Sequence, residues 1–280
     1  MRGKLSDSFL VRLLHKIPQM HGKQRLARYL LRKYLMEKDV LVKDLTGFRY
    51  LLPSVQDPVG FCLLINGIYE PLILSFLKKY LMSGDVFMDI GANIGAITIP
   101  CASWIGEYGR VIAIECSPFI LEYLKQNILL QSVAISAEDY KEVAFYEAPA
   151  DHFGMVSIGA QFEQPPIKLT SRSLDSILNE KQIFTLKAIK IDVEGYESEV
   201  FSGASKLLAG ANAPAIIFEF ADWAEERLGF KAGKSQQVLL DHGYQIWSLE
   251  DFHKSKKPLQ KVITKGCFNL IAIKFFNVSA

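Results

Sequence analysis

From Gly84 to the end of the chain, short apolar segments alternate with segments of helical periodicity. Several of the apolar runs are nearly continuous, which is typical of strands buried on both faces of a parallel sheet. The last two have no predicted helix between them, so they should pair antiparallel. We therefore predict an α/β fold, a doubly wound, seven-stranded, mostly parallel sheet that ends in an antiparallel hairpin. The candidate strands are 86–90, 111–115, 133–136, 142–146 (a possible additional strand), 187–192, 215–220, 245–249 and 268–275.

Helices are expected from about residue 94 and over 118–128, 196–208 and 235–242. Ser117 and Pro118 supply an N-cap and a first-turn proline for the second of these helices. Pro100 falls inside the first one, so that helix should kink or start late.

Composition limits the class of protein. The chain has 280 residues, half of them hydrophobic, so it can bury a large core. None of its apolar runs reaches the ~18 residues of a membrane-spanning helix. Its four cysteines are scattered and form no C-x-x-C pair, which argues against a zinc cluster or a disulfide framework. These features predict a cytoplasmic protein in a reducing compartment.

Positive charge is concentrated at the N-terminus. Residues 1–39 hold ten Lys and Arg against three acids, which leaves a net −5 for the remainder of the chain. Two helical patterns fit this region, and in the second of them Leu26, Tyr29, Leu30 and Tyr34 should share one face while Arg25, Arg28 and Arg32 line another. We predict a basic helical extension over 1–45 and a main domain over 46–280. The basic side of the N-terminal extension is either solvated or a contact for an anionic membrane surface through residues 1–39. Nucleic acid is not an expected partner, because the rest of the chain is acidic and shows no recognition motif.

The segment DIGANIG (89–95) interrupts a buried pattern with one acid and two glycines. A strand that ends in a glycine turn and then enters a helix is the usual site for a nucleotide-like ligand. Gly91 and Gly95 would let the backbone approach that ligand, and the N–H groups of the helix start would favour an anion. Glu115 closes the next strand 24 positions after Gly91, within range of a ribose diol. These features serve a nicotinamide dinucleotide and S-adenosylmethionine equally well.

Three differences from a dinucleotide-binding fold favour S-adenosylmethionine as the ligand. Asn93 and Ala96 stand where a dinucleotide-binding turn has glycine, which leaves less room for a pyrophosphate. Asp89 at the strand end suits a ligand with cationic groups and would repel a pyrophosphate. The terminal hairpin also differs from an all-parallel dinucleotide fold.

In chain order, the sequence contains the motifs GIYEP, DIGANIG, AIECSP, SLDSI, IKIDVEGYESEVFSGA and PAIIFEF. With these motifs the chain resembles the FkbM family of class I, Rossmann-like S-adenosylmethionine-dependent methyltransferases over roughly residues 60–275. The resemblance implies methyl transfer to an oxygen, commonly on a sugar or a polyketide-type metabolite. It further implies that Asp89, Gly91, Asn93 and Gly95 hold the methionine part of the cofactor, that Glu115 holds its ribose, and that Glu70 faces the methionine end.

Three carboxylates are the candidate acceptor-side residues. Asp192 and Glu194 follow the strand at 187–192, and Glu219 lies near the end of the next one, so they should meet at the same edge of the sheet. One of them would accept the hydroxyl proton of the acceptor, and we assign Asp192 and Glu194 to catalysis and Glu219 to substrate binding. His152, in a polar stretch that would cover the acceptor, is a further candidate base. No metal is expected, although the three carboxylates could hold Mg²⁺.

Three functions remain open at this point. The leading one is an O-methyltransferase that acts on a hydroxyl of a sugar, glycan or related metabolite. The alternatives are an NAD-dependent oxidoreductase on a similar sheet and a non-catalytic cofactor-binding protein that acts through its basic N-terminal helices.

Overall fold

The computed structural model describes residues 8–18, 22–127, 134–135, 142–145 and 167–275. Its strands are β1 (Lys38–Lys43), β2 (Arg49–Ser54), β3 (Val86–Ile90), β4 (Arg110–Ile114), β5 (Ala134–Ile135), β6 (Glu142–Phe145), β7 (Ile167–Arg172), β8 (Ala188–Ile191), β9 (Ala215–Ala221), β10 (Gln245–Ser248) and β11 (Cys267–Ile273). Its helices are α1 (Phe9–Lys16), α2 (Lys23–Leu31), α3 (Pro58–Asn66), α4 (Pro71–Tyr80), α5 (Thr98–Ile105), α6 (Pro118–Asn127), α7 (Leu174–Glu180), α8 (Glu197–Ser202), α9 (Ser205–Ala209), α10 (Asp222–Arg227), α11 (Lys234–Asp241) and α12 (Leu249–His253).

The central sheet confirms the predicted α/β class. Its strand order is β10-β11-β9-β8-β3-β4. Strands β4, β3, β8 and β9 are parallel, and β11 runs antiparallel to both β9 and β10. The carboxyl ends of the four parallel strands therefore meet at one edge, which is where ligands bind in such sheets.

The sheet in the structure differs from the predicted one in two details. Across the described residues the central sheet has six strands instead of seven, because β5 pairs with β7 in a separate three-stranded sheet. A short helix, α12, also lies between β10 and β11 where none was expected. It follows β10 directly and is capped by the Ser248 hydroxyl, which accepts from the Asp251 N–H at 3.2 Å. This five-residue helix is part of the connection 249–266, and β10 and β11 pair antiparallel as predicted.

Both faces of the central sheet are buried, as the continuous apolar strands require. Met88 and Ile189 belong to the core cluster on one face, whereas their neighbours Phe87 and Ala188 belong to the cluster on the other. Successive side chains of a strand point to opposite faces, so each strand supplies two separate cores. This explains why the sequence shows runs of apolar residues here and no alternation.

The helix after the glycine turn starts late, as Pro100 predicted. It begins at Thr98 and not near Ile94, because Asn93 and Gly95 keep the preceding segment in left-handed turn geometry, with φ of 51° and 92°. Pro100 is then the third helical residue, where the missing N–H has no intrahelical acceptor to lose. The helix predicted over 196–208 is likewise divided into α8 and α9, with Gly203 and Ala204 between them.

The N-terminal helices pack against the main domain by a face that agrees with the predicted one only in part. Tyr34 packs against their core, but Leu26 and Tyr29 do not. Leu26 and Tyr29 are 47% and 67% exposed, and the buried side chains of α2 are Lys23, Ala27 and Leu31. Lys23 can be buried because its ammonium donates to the carbonyl oxygen of Ile17 at the end of α1, at 2.8 Å.

The N-terminal region is attached close to the glycine turn. Strands β1 and β2 form an antiparallel hairpin that spans the predicted boundary at residue 45. The core of this region also contains Ile94 and Ala96 of the turn and Ile120 of α6. The Asn127 side chain joins the same elements, since its Nδ2 donates to the carbonyl oxygens of Leu51 and Ile94 at 3.3 and 3.0 Å.

Among the described helices, none is by itself long and apolar enough to cross a membrane. Helices α3 and α4 pass that test only as a pair, and they are bent by 78° at the break between them.

Candidate active site

The glycine turn after β3 is shaped by its contact with the end of β8. Gly91 has φ of 76°, and a Cβ placed on it would lie 1.8 Å from the carbonyl oxygen of Asp192. The N–H groups of Gly91 and Ala92 both donate to the carbonyl oxygen of Ile114, at 2.9 and 3.0 Å. Glycine is therefore required here by the protein's own backbone, whereas the sequence had indicated only the approach of a ligand.

Glu115 holds the turn against the end of β4. It is only 3% exposed, and its two carboxylate oxygens accept from the N–H groups of Asn93 and Ser117 at 2.9 and 2.8 Å. Burial raises the pKa of Glu115, and these two hydrogen bonds oppose that effect. The carboxylate also interacts with the N–H and the thiol of Cys116, so a bound hydroxyl would share its oxygens with these donors. The position suits the predicted ribose contact, which stays a prediction.

Asp89 is fully buried at the end of β3. Its Oδ2 accepts from the Thr98 hydroxyl at 2.6 Å, and its Oδ1 lies 3.6 Å from the Lys190 ammonium. Burial raises the pKa of Asp89, while Lys190 and Thr98 favour its charged form. Asp89 thus has two partners inside the protein in addition to its predicted contact with the methionine part of the cofactor, which stays a prediction.

Lys190 is a central residue that the sequence analysis did not single out. Its ammonium donates to the Gly91 carbonyl oxygen at 3.0 Å and lies 3.4 Å from the Asp192 carboxylate. Burial alone would lower the pKa of Lys190, but Asp192 and Asp89 raise it above its ordinary value, so the side chain is charged. The available signal was a lone lysine inside an apolar strand, since such a charge needs partners.

The three predicted acceptor-side carboxylates come together. Asp192, Glu194 and Glu219 each have a carboxylate oxygen within 4.8 Å of the others. Burial, followed by the charge of Asp192, raises the pKa of Glu194 to about 8 and that of Glu219 to about 7. Glu194 adopts a left-handed backbone conformation with φ of 56°, which is uncommon outside glycine and occurs at functional sites.

Glu70 approaches the same cluster from α4. It is the N-cap residue of that helix, with φ of 44°, but its side chain makes no cap hydrogen bond. Instead its Oε2 accepts from the Nδ2 of Asn269 on β11 at 2.9 Å. Burial, followed by Asp192, raises the pKa of Glu70. A cavity of about 20 Å³ lies between these elements and is lined by Tyr69, Glu70, Lys190, Asp192, Glu219 and Asn269, among others.

Glu197 has a structural role in the described site. It is 2% exposed, and its Oε1 accepts from the Val193 N–H at 3.0 Å, which fixes the loop before α8. Burial raises the pKa of Glu197 to about 8.

An exposed surface adjoins the carboxylates. Trp223 in α10 is 45% exposed, and the Arg227 guanidinium lies 5.0 Å from the centre of its ring. Arg227 also donates to the carbonyl oxygen of Glu194 at 3.5 Å. His152, the other candidate base, lies outside the described residues.

The FkbM family match covers the segment that builds this site. The family described as "Methyltransferase FkbM domain" matches residues 89–246, which is more than half of the chain. The chain belongs to the FkbM methyltransferase family. Its methyl donor is S-adenosylmethionine, and the family assignment sets aside the oxidoreductase alternative.

Comparisons with individual proteins cover smaller parts or show weaker similarity. The chain is 36% identical over 59 residues to the probable cobalt-precorrin-6B C(15)-methyltransferase (decarboxylating) of Sulfurisphaera tokodaii, a match that covers 21% of this chain and 31% of that protein. The chain thus spans about a third of the length of the curated relatives it matches.

Solved methyltransferase structures were matched as well. The methyltransferase FkbM of Methylobacillus flagellatus aligns with 16% identity and a TM-score of 0.42, over 68% of this chain and 44% of that one. The precorrin-6y C5,15-methyltransferase of Geobacter metallireducens aligns with 15% identity and a TM-score of 0.41, over 74% of this chain and 92% of that one.

The residues of the site fit this methyl donor. S-adenosylmethionine carries a sulfonium and an ammonium, and the carboxylates of Glu70, Asp192, Glu194 and Glu219 lie at the edge of the sheet where the glycine turn begins. The Lys190 ammonium lies among them and already neutralises part of their charge. The Lys190 ammonium also bears on the alternative Mg²⁺ site, because a metal ion bound there would compete with that ammonium for the Asp192 carboxylate.

Proposed function

We propose that this protein is an O-methyltransferase that moves a methyl group from S-adenosylmethionine to a hydroxyl of a sugar, a glycan or a related metabolite. The observation that carries the proposal is the convergence of Asp192, Glu194 and Glu219 within 4.8 Å at the carboxyl ends of β8 and β9. An aliphatic hydroxyl holds its proton tightly, so its methylation needs a base beside the acceptor oxygen.

The cofactor site in this proposal is formed by the glycine turn and the strand ends on either side of it. Asp89, Gly91, Asn93 and Gly95 hold the methionine part, with Glu70 at its charged end, and Glu115 holds the ribose. When bound, S-adenosylmethionine supplies a methyl group that is already a strong electrophile. The protein then contributes mainly alignment of the acceptor and removal of its proton.

Glu194 is the base in this proposal. Its pKa of about 8 makes its carboxylate a better proton acceptor than an ordinary glutamate, and a useful fraction is deprotonated near pH 7. Asp192 is a weaker candidate for proton removal because it is paired with Lys190, and we assign it the positioning of that lysine. Glu219 orients the acceptor hydroxyls, and Trp223 offers an exposed aromatic surface against which a sugar ring can pack.

The test is methyl transfer with labelled cofactor. The full chain is incubated with methyl-labelled S-adenosylmethionine and pools of glycans, lipid-linked sugars, polyketides and amines, and the new linkage in any product is determined by NMR. We expect an O-methyl product, and loss of at least 100-fold in kcat in Glu194→Gln. The matched control is Glu250→Gln, which removes one carboxylate from the surface far along the chain. A methyl group found on nitrogen or carbon, or full activity in Glu194→Gln, contradicts the proposal.

A further inference from the structure

Helix α1 presents a mixed apolar and basic stripe to solvent. Phe9, Arg12, Leu13 and Lys16 are all exposed, and their spacing of three and four residues places them on one helix face. Phe9 is 79% exposed, which is high for a large aromatic side chain. The opposite face is buried through Val11 and Leu14.

Helix α2 presents a second stripe of the same kind. Arg25 and Tyr29 lie opposite its buried residues, and Arg32 follows one turn later, with its guanidinium 5.4 Å from the centre of the Tyr29 ring. Ala27 and Leu31 on the inner side of α2 join the same core as Val11 and Leu14 of α1. Because both helices cover one core, both stripes face away from it. We call these two stripes together the N-terminal surface.

The charge of this segment has a single sign. Residues 8–36 contain seven Lys and Arg and no Asp or Glu, whereas the chain outside residues 1–39 carries a net −5. Lys23 is the one basic residue of the seven that is buried in the described structure. The other six stand among exposed apolar side chains, so charge and apolar area are presented together.

We propose that the N-terminal surface binds the anionic phospholipid surface of a membrane, with α1 and α2 lying flat against it. Basic residues near such a surface are attracted to its headgroups, and exposed aromatic and aliphatic side chains gain by entering the interface. A nucleic acid would use the arginines but would leave Phe9 and Leu13 in water. The combination therefore favours lipid over nucleic acid. This proposal is independent of the reaction that the protein catalyses.

The first arm of the test removes charge. The full chain is sedimented with vesicles of phosphatidylcholine alone or mixed with phosphatidylglycerol. We expect binding to the mixed vesicles only, weakened when the ionic strength rises from about 0.01 M to about 0.1 M. Each basic residue contributes about fivefold, so the triple variant Arg12→Gln, Arg25→Gln and Arg32→Gln should bind about 100-fold more weakly. The matched control is Lys78→Gln, Lys79→Gln and Lys257→Gln, which removes the same charge from exposed sites elsewhere and should bind like the wild type.

The second arm removes apolar area. In the variant Phe9→Ser and Leu13→Ser, binding to the mixed vesicles should fall at least tenfold while the dependence on salt is unchanged. Circular dichroism and the affinity for S-adenosylhomocysteine verify that each variant is folded. The proposal is overturned if the wild type ignores anionic vesicles, if the charge control loses as much as the triple variant, or if the triple variant loses affinity for a single-stranded RNA oligonucleotide while vesicle binding is unchanged.

Discussion

The α-carbon of Gly91 faces the backbone carbonyl of Asp192 so closely that a Cβ on Gly91 would lie 1.8 Å from the carbonyl oxygen. The contact joins the glycine turn of β3 to the end of β8. It therefore fixes the cofactor-binding turn relative to the acceptor-side carboxylates, and this spacing matters because methyl transfer depends on alignment.

Replacing Gly91 should test that contact. Gly91→Ala adds left-handed strain and a backbone overlap, so we expect a loss of at least ~3 kcal/mol in the free energy of unfolding together with loss of S-adenosylhomocysteine binding. Gly84→Ala is the matched control, since Gly84 has φ of 89° and no atom of the described residues lies within 4 Å of an added Cβ. It should lose only ~1–2 kcal/mol by chemical denaturation. Equal losses in the two variants would show that the overlap has no effect.

The Lys190 ammonium should hold two carboxylates in the buried centre of the site. Lys190→Met leaves Asp89 without its cation, and we expect a loss of ~3–5 kcal/mol in the free energy of unfolding at pH 8. The loss should be smaller at pH 5, because the raised pKa of Asp89 allows it to be neutralised. Adding Asp89→Asn should restore much of the stability at pH 8. If the double variant is as unstable as the sum of the single variants, the pair is not coupled.

Glu194 and Glu219 should make cofactor binding depend on pH. Their pKa values of about 8 and about 7 mean that both bind protons at pH 6. A cationic sulfonium nearby favours the deprotonated carboxylates, so the affinity for S-adenosylmethionine should rise from pH 6 to pH 8. S-adenosylhomocysteine lacks the sulfonium charge and should show a weaker rise. Calorimetry at several pH values measures both ligands, and parallel pH profiles for the two would contradict this account.

Glu197 should lower stability at alkaline pH. Its folded pKa of about 8 lies above its unfolded value, so the folded state binds more protons between about pH 4.5 and pH 8. The free energy of unfolding must then fall as pH rises through that interval, by at most ~1.4 kcal/mol per pH unit for this group. Glu197→Gln should flatten the curve, whereas the surface control Glu250→Gln should leave it unchanged. Urea denaturation at pH 5, 6.5 and 8 decides between these outcomes.

The parallel sheet and the position of the site could be predicted because they depend on local patterns. Continuous apolar runs set the strands, and the carboxyl ends of neighbouring parallel strands necessarily bring Asp192 and Glu219 to one edge. The pairing of β5 with β7 depends on contacts distant in the sequence, so it left no local signal.

Residues with internal partners were harder to predict. Lys190 and Lys23 look exposed by residue type, and only the structure shows the carboxylates and the helix-end carbonyl that let each be buried. The prediction for the packed face of α2 was wrong in part, because Lys23 is buried there while Leu26 and Tyr29 are exposed. The N-terminal surface exists because Tyr29 of α2 is exposed to solvent and does not pack in the core. The domain boundary at residue 45 and the cytoplasmic location stay predictions.

The proposed function depends most on the adenosyl cofactor lying at the end of β3. Isothermal titration calorimetry of the full chain with S-adenosylhomocysteine and with NADH tests this directly, alongside Glu115→Gln with its fold checked by circular dichroism. We expect S-adenosylhomocysteine to bind with one molecule per chain, NADH to give no heat, and Glu115→Gln to weaken binding at least tenfold. Binding of NADH without S-adenosylhomocysteine, or an unchanged affinity in Glu115→Gln, would contradict it.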